Sequence, residues 1–199
     1  MKLILASNNA GKVIEFREIL AGTGIEVIPQ REAGCDFEVD ETGGTFEENA
    51  FLKAEAAMKA TGLPAVSDDS GLEVDALGGA PGVHSARYTG NHDDSDLDRR
   101  KFLMKNLEGE EHRTARFVSA ICCVFPNGDV LRARGTCEGR IATYMKGENG
   151  FGYDAMFIAD GEDRTMAEMT HEEKNEISHR GRALREFARV LKEYCNADK

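Results

Sequence analysis

The sequence predicts an α/β protein on a mixed β-sheet. Three observations carry that prediction. Lys2–Ala6, a loop, a helical spacing and Ile25–Pro29 make a strand–loop–helix–strand opening. Two apolar runs, Ala115–Phe125 and Val130–Thr136, flank the turn formers Pro126-Asn127-Gly128-Asp129, the pattern of an antiparallel hairpin. Stretches with helical apolar spacing alternate with strand candidates, as in an α/β chain.

In chain order, Ser7, Asn8, Asn9 and Gly11 end the first strand, and Val13, Phe16, Ile19 and Leu20 recur at helical spacing until Gly22 and Gly24. Residues 31–44 read as a polar loop carrying Asp36, Glu38, Asp40 and Glu41. Thr45, with Glu48 three residues on, predicts a capping box for a helix over Phe46–Ala60 that stops at Gly62. Leu63–Val66 predicts a third strand feeding the loop Ser67-Asp68-Asp69-Ser70-Gly71. A longer loop follows around Gly78–Gly82, then a helix over Asp93–Leu107 with Leu97, Leu103 and Leu107 as its apolar residues. Gly147–Asp154 is another glycine-rich loop, and the last helix is expected over Ser178–Tyr194, with Leu184, Phe187, Ala188 and Leu191 turned inward.

The 199 residues suit a single domain over 1–199, at about 150 residues per domain. A formal charge of −11 argues against a nucleic-acid coat, which neutralises phosphate with clustered Lys and Arg. No apolar run reaches the ~20 residues of a membrane span, and the first apolar stretch is too short for a signal peptide. Five cysteines, an odd number without CxxC spacing, predict free thiols and a cytoplasmic protein.

Three segments combine glycine with polar or charged side chains near strand ends, where α/β sheets bind ligands. Ser7-Asn8-Asn9-Ala10-Gly11-Lys12 opens a helix, so amides, dipole and the Lys12 charge favour an anion; the alternative is a polar connector with a surface lysine. Asp68 and Asp69 side by side call for a cation, Mg²⁺ by its preference for hard oxygens, with Glu41 and Glu48 available nearby; the alternative is a solvated acidic turn. Gly150-Phe151-Gly152-Tyr153-Asp154 offers aromatic faces to a base. With Ser178 as cap, His179 and Arg180 fall in a first helical turn, where cations oppose the dipole.

Taken together, Ser7–Lys12, Glu41-Thr42-Gly43 with Phe46–Ala50 and Lys53-Ala54, Ser67–Leu72, Leu77–Gly82 with Ser85–Tyr88, Gly150–Asp154 and Ile177–Arg180 resemble the Ham1/RdgB-like inosine and xanthosine triphosphate pyrophosphatases. These six stretches occur in the family's order along nearly the whole chain. Departures are mild: Ser7-Asn8 where many members have Thr-Gly, and Ala155-Met156 where Pro is frequent. The resemblance implies an elongated mixed sheet flanked by helices, two lobes around a cleft, and a homodimer. It implies Mg²⁺-dependent hydrolysis of ITP, dITP and XTP to monophosphate and pyrophosphate. Asp69 is then proton acceptor and metal ligand, with Asp68 or Glu41 beside it on the metal. Ser7, Asn8, Asn9, Ala10, Gly11, Lys12, Ser70, Phe151, Gly152, Tyr153, Asp154, Lys174, His179 and Arg180 are then substrate contacts.

Chemically, the lysines at 12, 53 and 174 would neutralise a triphosphate despite the acidic balance, Lys53 within the catalytic set with Asp69 and Asp68. Arg180, a donor only, would favour a 6-oxo purine over adenine. No residue identifies how guanine is rejected. Two rival readings are a Maf-like pyrophosphatase for modified pyrimidine triphosphates and a non-catalytic nucleotide sensor.

Overall fold

In the computed structural model, residues 1–35, 38–91 and 93–197 are described, so Asp36 of the polar loop lies outside them. Six strands form one sheet in the order β2-β1-β3-β4-β5-β6: β1 (Lys2–Leu5), β2 (Glu26–Pro29), β3 (Ala65–Val74), β4 (Thr114–Val124), β5 (Val130–Ile141) and β6 (Phe157–Ala159). The helices are α1 (Ala10–Ile19), α2 (Phe46–Thr61), α3 (Asp96–Asn106), α4 (His171–Ile177) and α5 (His179–Ala197). β1 runs parallel to β2 and β3, and β5 antiparallel to β6, so the sheet is mixed as expected. The Pro126–Asp129 turn joins β4 to β5, closed by Phe125 N–H donating to the Asp129 carbonyl at 2.9 Å.

The chain divides into two compact units, Met1–Asp69 with Ser119–Gly135 and Arg180–Lys199, and Ser70–Val118 with Thr136–His179. In the first, side-chain alternation sorts the core onto two faces. Leu3, Leu5, Val66, Ile121 and Cys123 pack with Phe16 and Leu20 of α1 and Leu184, Phe187 and Leu191 of α5. Their sequence neighbours Ile4 and Ala65 pack with Ala57 of α2, and Cys122 and Val124 with Ala50 and Ala54. Each fully buried Leu or Phe contributes roughly 1.5–3 kcal/mol. Continuing the alternation from Val66, Asp68 points to the α1–α5 face and Asp69 to the α2 face.

In the second unit, Leu72 and Val74 of β3 pack with Leu103 of α3, its C-cap residue Leu107, Phe117, Phe157 and Met166. Leu97, the third leucine of that stretch, is 44% exposed. Six residues before Leu103, it lies about 120° around the helix from the buried stripe.

One boundary and two local details differ from the sequence reading. β3 runs straight through Ser67-Asp68-Asp69-Ser70-Gly71, placing both aspartates inside a strand. The expected capping box of α2 is half made: Thr45 Oγ1 accepts from Glu48 N–H, but the Glu48 carboxylate accepts from Gly44 N–H. Finally, a separate helix α4, opened by a Thr170–Glu173 capping box, precedes Ser178, while α5 starts at His179 as expected. At the other end of α2, Gly62 takes the left-handed cap, φ 68°. No described helix is long and apolar enough to cross a membrane, and all five cysteines are free.

Candidate active site

The first unit concentrates charge around Asp68 and Asp69, both buried. On the α1–α5 face, Asp68 Oδ2 takes Lys12 Nζ at 3.0 Å and Arg180 Nε at 3.1 Å, while Ser119 Oγ–H donates to Oδ1. Arg180 also pairs with Glu15 of α1, itself buried. Burial alone would raise the Asp68 pKa, but Lys12, Arg180 and Ser119 hold it far below the usual carboxylate range. Asp68 is thereby a fixed anion that anchors three elements. Arg180, expected at a purine edge, is 2% exposed with its guanidinium between two carboxylates, which also offset its unfavourable place at a helix start. Glu15 and Ser119 went unremarked in the sequence. Ser119, the one polar residue between Phe117 and Val124, was the available signal.

On the α2 face, Lys53 Nζ lies 2.7 Å from Asp69 Oδ1 and 2.7 Å from Glu41 Oε1. Burial disfavours its ammonium, but Asp69 and Glu41 outweigh that and raise its pKa. Asp69 Oδ2 is buried without a hydrogen-bond partner among the described residues. Burial raises the Asp69 pKa despite Lys53. Lys12 also donates to the Asp68 carbonyl at 2.9 Å; its pKa is lowered because burial exceeds the help from Asp68. An arriving phosphate would restore that lost solvation. Glu41 thus joins the centre as expected, and Glu48 does not. Ser7–Lys12 forms the start of α1: Asn9 caps it by accepting from Lys12 N–H, Ser7 Oγ accepts from Asn9 N–H, and Asn8 to Ala10 are exposed beside Gly11.

The second unit holds the remaining expected contacts. Ser70 is half-buried in β3. Asp154 Oδ2 accepts from Phe151 N–H at 2.9 Å and from Lys174 Nζ at 2.9 Å, and the Lys174 ammonium lies 4.8 Å from the Phe151 ring centre. Gly150, at φ +75°, has no room for a side chain, since a Cβ would meet Asp154 Oδ2 at 2.1 Å. Gly152 N–H donates to Asp96 of α3 at 2.6 Å, and Tyr153 Oη–H to the Ser85 carbonyl at 2.9 Å. A cavity of about 130 Å³ is lined by Asp96, Arg100, Asn149, Phe151 and Asp154. His179 is buried and stacks on Phe117, centroids 4.7 Å apart.

The chain is similar to known proteins along most of its length. A dITP/XTP pyrophosphatase of Symbiobacterium thermophilum is 53% identical over 189 residues, covering 92% of this chain and 91% of that protein. A dITP/XTP pyrophosphatase of Bacillus subtilis is 48% identical, covering 94% and 96%. The solved structure of the Staphylococcus aureus Ham1 protein superposes with a TM-score of 0.89 at 43% identity, over 98% of this chain and 100% of that one. A Ham1 protein from Coxiella burnetii gives 0.90 at 43% identity, over 97% and 99%. The Ham1 family model matches residues 3–190, and the chain belongs to the Ham1 family.

Proposed function

We infer that the protein hydrolyses non-standard purine nucleoside triphosphates, ITP, dITP and XTP, to the monophosphate and pyrophosphate, removing them from the pool that supplies DNA and RNA. One observation carries the reading: in a chain whose relatives are named dITP/XTP pyrophosphatases, Asp69 keeps a buried, unpartnered carboxylate oxygen and a raised pKa. A base needs both a free oxygen and proton affinity. Water adds to phosphorus at the α–β bridge, the bridging P–O bond breaks, pyrophosphate leaves, and the water's proton passes to Asp69 Oδ2. Lys53 orients Asp69 through its other oxygen. Lys12 and the open amides at the start of α1 take phosphate charge. Asp68, Arg180 and Glu15 act by holding Lys12 in place.

Mg²⁺ is the proposed cofactor. Among the described residues no three His, Cys, Asp or Glu side chains gather as a metal cage, but Asp69 and Glu41 converge on Lys53. That donor set fits Mg²⁺, which commonly binds one or two carboxylates and completes its shell with water and substrate phosphate. Glu41 and Asp69 would hold it, and when bound it would supply charge neutralisation on the leaving phosphates.

We propose Phe151 as the stacking surface for the purine, with Gly152, Tyr153, Asp154, Lys174, Ser70 and His179 as its surroundings. Free cysteines and net charge support a cytoplasmic enzyme without nucleic-acid partners, and the family resemblance supports a homodimer.

A panel of nucleoside triphosphates, with and without Mg²⁺, tests the reading by assay of monophosphate and pyrophosphate. ITP, dITP and XTP should turn over far faster than ATP or GTP. Release of orthophosphate, preference for modified pyrimidines, or tight binding without turnover would overturn it.

A further inference from the structure

We propose that Asn49 is a positioning residue of the catalytic centre, acting on Glu41 through the backbone of Gly43. The proposal rests on the pyrophosphatase reading above. Asn49 lies one turn before Lys53 on α2, and residues four apart share a helix face. Lys53 takes the Glu41 carboxylate, and Asn49 Oδ1 accepts from Gly43 N–H at 2.8 Å. A stretch of three residues, 41–43, is thus pinned at both ends to one face of α2. Because Gly43 donates an N–H, the Asn49 atom facing it must be the carbonyl oxygen.

Two further observations separate this from ordinary packing. Asn49 is 0% exposed, yet its Nδ2 has no partner among the described residues. An unpaired buried donor is destabilising, so stability alone does not account for a carboxamide here. The contact also excludes any side chain at position 43. A Cβ there would meet Asn49 Oδ1 at 2.7 Å and Glu48 Cβ at 2.7 Å, so the backbone must lie flat on the first turn of α2. Gly44 N–H, donating to Glu48 at 2.7 Å, holds the same strip. Groups that orient a metal-binding side chain typically carry 10- to 100-fold in metal affinity, about the effect expected here.

The test is direct Mn²⁺ binding by electron paramagnetic resonance, with an inosine triphosphate analogue whose α–β bridge resists hydrolysis. Asn49→Ala should weaken Mn²⁺ about 10- to 100-fold. In a Glu41→Gln background the same substitution should add less than about threefold, because its effect runs through Glu41. Gly43→Ala, which retains the carboxamide but lifts the backbone, should reproduce the loss and serves if Asn49→Ala does not fold. Mn²⁺ affinity unchanged in both variants, or an equal loss with and without Glu41, would overturn the proposal. If the parent itself neither binds Mn²⁺ nor releases pyrophosphate from ITP, the functional reading fails instead.

Discussion

On the α1–α5 side of β3, Asp68 has both oxygens engaged: Ser119 on one, Lys12 and Arg180 on the other. On the α2 side, Asp69 meets Lys53 with one oxygen and, among the described residues, nothing with the second. The two residues are adjacent and both buried, and their pKa values move in opposite directions. Burial is common to both, so the number of donors decides the outcome. A fully paired carboxylate is an anchor, and a half-paired one retains the proton affinity that chemistry requires.

Breaking the anchor should have the largest effect. Asp68→Ala leaves the Arg180 guanidinium and the Lys12 ammonium buried with less counter-charge. Removing one partner of such a network costs about 3–5 kcal/mol. Urea titration should show that loss, and a midpoint close to the parent's would remove Asp68 from the structural role. Asp69→Asn should do the opposite: turnover of ITP falls ~10²-fold or more, the usual scale of a lost general base. Its melting temperature should not drop, since burial disfavours the Asp69 charge by more than its pairing with Lys53 returns. A near-normal kcat would show that Asp69 is not the base.

Acid should separate the two roles. Asp69 must be ionised to accept a proton, so turnover falls as pH drops through its raised pKa, above the ordinary aspartate value of 3.8. Asp68 has a depressed folded pKa, so its stabilisation is full above the unfolded value and is lost only in stronger acid. Protonating Asp69 meanwhile relieves a destabilising charge. Between these limits the protein should be folded and inactive, with activity restored on return to neutral pH. Circular dichroism and kcat profiles over the same pH series check this; simultaneous loss of both would contradict the division.

The sequence made one half of this comparison easier to read than the other. Apolar runs and spacing located β1, β2, α1 and α5 to within a few residues, and Thr45 with Glu48 and Gly62 located α2. The apolar pattern ended β3 too early because Ser67-Asp68-Asp69-Ser70 carries no apolar period. The strand continues there because Lys12, Lys53 and Arg180 neutralise it, and those partners lie far away in sequence. Glu15 and Arg180 are separated by 165 residues, a pairing that no local pattern encodes. Helix α4, which carries Lys174, lacks an apolar stripe, although Thr170 with Glu173 three residues on was a legible start signal.

The smallest expected effect sharpens the contrast between chemistry and binding. Phe151 is 38% exposed, its amide is held by Asp154, and Lys174 lies over its ring. A stacked base gains about 1–3 kcal/mol from such a ring, with little dependence on which base it is. Phe151→Ala should therefore raise KM about 5- to 150-fold for ITP and for XTP alike. Because the ring offers a surface and no proton, kcat should stay within a few-fold of the parent, unlike in Asp69→Asn. Steady-state kinetics with both substrates distinguishes the cases: a fall in kcat at constant KM would place Phe151 with the reacting phosphates, and a change in the ITP-to-XTP ratio would make it a selector of bases.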